Sequence, residues 1–228
     1  MWRFQQSAIY FKGYVEISTI KDIVEIHDGH LDTGIIGTRY LFDVLTKSGY
    51  VELAYQIVTQ ETYPGWGYMI REGATTLWER WENLTNTGMN SHNHIMFGSV
   101  DAWFYRGLAG IGPLVPGWRK ILIAPHMVGD LKFIGASVRT PRGIVKISIE
   151  KHEKAFKLAL EVPVNSQAEL VIPRTPSVRA IAESGRILWA DGFYRGPSEG
   201  VMGYGESESS LTFTLGSGAY WFEIAAGE

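Results

Sequence analysis

Cysteine is absent from all 228 residues. With it go disulfides, thiolate metal centres and thiol nucleophiles. No run approaches the ~18 uninterrupted apolar residues that a membrane-spanning helix needs, so no membrane partner is expected. Met1-Trp2-Arg3-Phe4-Gln5 does not form a secretory signal, and a cytoplasmic location is the expectation. A strong charge of one sign is missing as well. Lys and Arg number 21 against 24 Asp and Glu, a formal net charge of -3, which lacks the basic footprint of a nucleic-acid partner. There is also no Gly-rich phosphate loop and no nucleophile elbow. What the chain has in quantity is aromatic: 8 Trp, 11 Tyr and 10 Phe. Such rings fill a core or offer flat amphipathic faces to sugar rings, and composition leaves both open.

Two periodicities divide the chain. Ile36, Tyr40, Leu41, Val44 and Leu45 recur on one helical face, and Gly49 stands where a left-handed cap ends such a helix. Val51, Ala54, Tyr55 and Val58 repeat the pattern, which predicts an antiparallel helix pair joined through Lys47-Ser48-Gly49-Tyr50. An earlier helix is expected to end near His27, before Asp28-Gly29. A further one is expected from Asn90 or Ser91, with Met96, Val100, Trp103, Phe104, Gly107 and Ile111 on one stripe, up to the breakers Gly112-Pro113 and Pro116-Gly117.

Beyond Trp118 the period falls to 2. Val145, Ile147 and Ile149 alternate with polar residues, as do Phe156, Leu158, Leu160 and Val162, then Ala168, Leu170 and Ile172. Thr140-Pro141-Arg142-Gly143 and Pro163-Val164-Asn165-Ser166 are turn sequences. Leu211, Phe213 and Leu215 face Tyr220, Phe222 and Ile224 across Gly216-Ser217-Gly218, a hairpin signature. The stretch 173–210 shows isolated strands only. The expected fold class is α+β in two domains, residues 1–115 helical and 116–228 an antiparallel β-sandwich.

Reactive and aromatic types concentrate between Tyr63 and His94. Thr75 or Thr76 is suited to cap a helix N-terminus, which would put Glu79 in its first turns beside Trp78 and Trp81. A carboxylate among indoles suits a general base facing a sugar; equally, Glu79 suits a surface ion pair with Arg80 or a neighbouring Lys. His92 and His94 flank Asn93. With no Cys and no nearby H-x-x-E pattern, hydrogen bonding to a hydroxyl or carboxylate fits them better than a metal, and neither metal nor cofactor is expected.

The runs Asp28-Gly29-His30-Leu31-Asp32-Thr33-Gly34, Thr62-Tyr63-Pro64-Gly65-Trp66-Gly67-Tyr68-Met69-Ile70, Gly73-Ala74-Thr75-Thr76-Leu77-Trp78-Glu79-Arg80-Trp81 and Ser91-His92-Asn93-His94 closely resemble the C-terminal part of bacterial α-L-rhamnosidases. These are inverting glycoside hydrolases with an (α/α)6 barrel followed by a β-sandwich. The resemblance runs from about residue 20 through Pro116-Gly117-Trp118, Ile123-Ala124-Pro125 and Thr140-Pro141-Arg142-Gly143. It implies helical hairpins of a partial (α/α)6 barrel before the sandwich and a rhamnoside as substrate. It further implies Glu79 as the general base, His94 as a rhamnose contact, and Trp66 and Trp78 as pocket lining. The family's Arg-Asp-Glu-Arg run, which supplies the general acid, has no counterpart here. A truncated form is therefore expected, whose exposed barrel face is covered by a second copy or a partner chain. A non-catalytic carbohydrate-binding remnant, or a structural subunit completing a barrel, is the alternative.

Overall fold

The computed structural model describes residues 20–84 and 90–227. The chain divides into two compact units, the first ending at Trp103 and the second beginning at Phe104. Both halves of the expected architecture are there: helices first, then two β-sheets.

In the first unit a π-type turn, Asp22–Ile26, stops at Asp28 and Gly29, both at positive φ. Helix α1 (Ile35–Lys47) follows and buries Thr38, Leu41, Phe42 and Leu45. This face differs from the predicted one, since Ile36 and Tyr40 are 71% and 59% exposed. Each lies about 200° around the helix from Thr38. Thr38 can occupy the buried face because its hydroxyl is satisfied, donating to the Gly34 carbonyl at 2.9 Å and lying 2.8 Å from the Thr33 hydroxyl. Gly49, at φ +84°, turns the chain into α2 (Val51–Thr59).

Helix α3 (Trp66–Arg71) begins after the cis Tyr63–Pro64 bond. A Cβ at Gly67 would collide with the Gln60 carbonyl and the Glu61 backbone, so only glycine lets α3 lie this close to the strap that precedes it. The last of the predicted helices starts later than expected, as a 3-10 turn at Met96–Gly98 leading into α4 (Ser99–Trp103). Residues 90–94 are engaged instead in backbone pairing with residues 77–79, which withholds them from a helix. The unit's core is aromatic. Phe42 packs on Trp103 at 5.1 Å, Trp66 on Trp81 at 4.9 Å, and Trp81 stacks on Phe97 at 3.7 Å.

The second unit opens with a π-type turn, Phe104–Leu108. Twelve strands follow: β1 (Ile111–Pro113), β2 (Lys120–Ile123), β3 (Phe133–Thr140), β4 (Gly143–Lys151), β5 (Ala155–Val162), β6 (Gln167–Pro173), β7 (Val178–Glu183), β8 (Arg186–Ala190), β9 (Phe193–Tyr194), β10 (Val201–Glu206), β11 (Ser210–Leu215) and β12 (Gly218–Ala226). Five form one sheet in the order β1-β2-β6-β11-β10, and seven form the other in the order β3-β4-β5-β12-β7-β8-β9. Strand β1 already belongs to the first of these sheets, upstream of residue 116.

Two features depart from the expected pattern. Strands β2 and β6 pair in parallel, from Lys120 opposite Gln167 to Ile123 opposite Leu170. And β11 and β12 are not a hairpin: β11 pairs with β6 and β10, β12 with β5 and β7. Gly216-Ser217 carries the chain from one sheet to the other, so the two apolar faces meet across the interior, with Phe213 6.0 Å from Phe222. The stretch that gave only isolated strands holds β7 to β9 in two tight hairpins. Ser184-Gly185 and Asp191-Gly192 have both φ values positive, the geometry that suits strand twist in two-residue loops.

Candidate active site

Residues 74–84 form no helix, so Glu79 is not in the first turn of one. The Thr76 hydroxyl, expected at a helix cap, donates to the His92 carbonyl instead. That bond is one of several that zip residues 76–79 to 91–94. His94 N–H donates to the Leu77 carbonyl at 2.8 Å, and Glu79 N–H to the Ser91 carbonyl at 2.8 Å. Ser91 N–H in turn donates to Glu79 Oε2 at 2.9 Å. Glu79 and His94, both half-buried, thus sit on neighbouring rungs of one paired segment, with one carboxylate oxygen fixed by a backbone amide.

The two predicted tryptophans are placed differently. Trp66 is 8% exposed and donates its indole N–H to the Phe97 carbonyl at 3.2 Å. Trp78 is 3% exposed and stacks on His92 at 4.6 Å. His94 Nδ1 accepts a bond from Met96 N–H at 3.4 Å. Among the described residues no three His, Cys, Asp or Glu gather as a metal site would require.

Beside the zipped segment in sequence, a groove of about 500 Å³ is lined by residues that include His27, His30, Asp32, Tyr63, Trp81 and Glu82. His27 Nε2 lies 3.3 Å from an Asp32 oxygen, His30 Nε2 lies 2.7 Å from the Thr62 hydroxyl, and the Trp81 indole donates to the Thr33 carbonyl at 2.8 Å. Trp81 is expected from the sequence as an indole beside Glu79, and His30, Asp32 and Tyr63 fall within the runs Asp28–Gly34 and Thr62–Ile70; a groove shared by these residues with His27 and Glu82 is not. What would have separated lining from core residues is the left-handed turn at Asp28-Gly29 and the fold of the strap, neither of which has a periodic signal.

Burial, then the nearby Glu82, pushes the Tyr63 hydroxyl up. Arg80 grips Glu82 through two bonds of 3.2 Å and holds its carboxyl below the ordinary 4.5. A depressed folded-state value adds stability that is present above the unfolded value and fades as pH falls through the folded one. Arg80→Gln is therefore expected to move the Glu82 titration upward, toward 4.5, in a carboxyl NMR titration; an unmoved midpoint would show that the pair does not hold in solution.

Residues 13–108 match the model of the bacterial alpha-L-rhamnosidase 6 hairpin glycosidase domain, and residues 110–186 that of the bacterial alpha-L-rhamnosidase C-terminal domain. The chain belongs to the bacterial α-L-rhamnosidase family. Among its rhamnosidase relatives is the α-L-rhamnosidase of Alteromonas sp. (strain LOR), 40% identical over 69% of this chain and 18% of that protein. The α-L-rhamnosidase structure from Dictyoglumus thermophilum superposes with a TM-score of 0.82 at 51% identity, over 90% of this chain and 22% of that one. The Streptomyces avermitilis α-L-rhamnosidase, crystallised in complex with L-rhamnose, gives 0.75 at 32% identity, over 89% and 19%. The chain thus spans about a fifth of the length of the rhamnosidases it matches, and corresponds to their C-terminal part.

Proposed function

We propose that this chain carries the base side of an α-L-rhamnosidase site that removes terminal α-L-rhamnosyl residues with inversion. In this reading Glu79 is the general base, His94 contacts the sugar, and Trp66 and Trp78 wall the pocket from behind, as their burial suits. The observation that carries it is the pairing that sets Glu79 and His94 on adjacent rungs. Ser91 N–H orients the carboxylate through Oε2 and leaves Oε1 to take a proton from a water.

Inversion needs a second carboxyl about 6.5–9.5 Å away to protonate the leaving oxygen, and no acid in this chain is assigned to that step. Hydrolysis should then favour an aryl α-L-rhamnoside over an alkyl one by the ~10²–10⁴-fold that acid catalysis contributes, because a phenolate leaves without a proton. Proton NMR of the first product formed from the aryl substrate is expected to show the β-anomer. Initial appearance of the α-anomer would overturn the inverting reading.

One observation favours a covering chain, either a second copy or the remainder of a barrel. In the first unit Ile36 and Tyr40 of α1, Ile70 of α3, and Ile95 ahead of the 3-10 turn are 71%, 59%, 71% and 84% exposed, apolar side chains of the kind an interface covers. Light scattering is expected to give a mass above that of the 25.5 kDa monomer, or to show a complex with an N-terminal rhamnosidase segment added in trans. A monomer that ignores that segment would remove this reading.

A further inference from the structure

We propose that the second unit carries an oxyanion-binding site at the end of the five-stranded sheet. A groove of about 490 Å³ opens there, lined by residues that include Arg119, Lys120, Asn165, Ser166, Gln167 and Ser217. The parallel pairing of β2 with β6 creates it. Lys120 lies opposite Gln167, Gln167 N–H donates to the Arg119 carbonyl at 2.9 Å, and the two strands start side by side. The turn that carries the chain over to β12 brings Ser217 to the same end.

Three observations point to an anion. The lining holds two cations and no acid, and neither Arg119 nor Lys120 has an ion-pair partner among the described residues. Glu169, the nearest acid along β6, sits one pleat further on and is not part of the lining. Second, Ser166 is only 4% exposed, yet its hydroxyl has no hydrogen-bond partner. A buried hydroxyl without a partner is unusual, and Ser166 is among the residues that line the groove. Third, the loop is held in advance. Asn165 is fixed at φ +58°, and Arg142 donates to the carbonyls of Gly117 and Asn165 at 2.9 and 2.8 Å, which ties a further positive charge to the loop that carries Asn165.

Arginine, lysine and a hydroxyl together form the donor set of a carboxylate, sulfate or phosphate. The groove falls within the roughly 300–1,000 Å³ of small-ligand sites, so it has room for a sugar ring bearing the acidic group as well as for a free inorganic anion. The site is independent of the role given to Glu79.

Amide NMR on the whole chain at low ionic strength tests it, with inorganic sulfate, D-glucuronate and neutral L-rhamnose as probes. Saturable shifts at Ser166, Gln167 and Ser217 are expected with at least one anion and none with rhamnose. Glucuronate binding several-fold tighter than sulfate assigns the site to an acidic sugar, and the reverse order to a free oxyanion. The surface variant Arg119→Gln/Lys120→Gln should weaken binding at least tenfold, and Ser166→Ala a few-fold, with thermal unfolding unchanged for the former. Absence of saturable shifts with both anions, or shifts equal in parent and double variant, overturns the site.

Discussion

Glu79→Gln is expected to lower turnover of an aryl α-L-rhamnoside by about 10²–10⁴-fold, the range that general base catalysis contributes, with little change in KM. The amide oxygen of Gln can still accept the Ser91 N–H bond now made by Glu79 Oε2, so the zipped segment should persist. What is lost is the group that takes the proton from water. Azide, a nucleophile with no proton to lose, is therefore expected to restore rate to the variant as β-rhamnosyl azide forms, and to do little for the parent. An unfolded or misplaced segment would not be rescued in this way. Turnover in Glu79→Gln equal to the parent's would remove Glu79 from the mechanism.

Trp103→Ala should cost about 3–5 kcal/mol, the usual range for emptying the space of a buried Trp. Its side chain is 1% exposed, packs on Phe42 at 5.1 Å, and donates its indole N–H to the Thr46 hydroxyl at 2.7 Å. It therefore pins α4 to two turns of α1. Trp103→Phe keeps most of the volume and loses the donor, and should cost about 1–2 kcal/mol. Urea unfolding of both variants checks this. A loss below about 1 kcal/mol in Trp103→Ala would mean that the neighbouring rings close over the gap.

The patterns visible in the sequence were those of burial. Alternation at Val145, Ile147 and Ile149 marks which side chains point inward, and all three are buried. Alternation carries no record of sheet membership, and so β11 and β12 looked like a hairpin. Two strands that face each other across a sandwich interior alternate in the same way as two that pair edge to edge. The Glu79 segment misled for a related reason. Trp78 and Trp81, three apart and both buried, imitate a helical face, and Thr76 imitates a cap. The pairing with residues 91–94 that decides the matter is a contact between distant parts of the chain and has no local signal. Family resemblance points to Glu79 and His94, but not to the burial of Trp66 among Phe42, Trp81 and Phe97, nor to that of Trp78 beside Tyr68 and His92.

The placement of β12 has a consequence for synthesis. It lies between β5 and β7, bonded to β5 from Gly218 to Ala225 and to β7 from Phe222 to Ala226. A nascent chain that has emerged only as far as Ser217 therefore has two bare, apolar-backed strand edges facing a slot that nothing fills. Such edges are templates for pairing with other molecules, and contacts so distant in sequence close slowly. The interval between translation of Leu215 and closure of β12 is thus the period of greatest exposure to aggregation, and a ribosome stalled near Ser217 would hold the chain there.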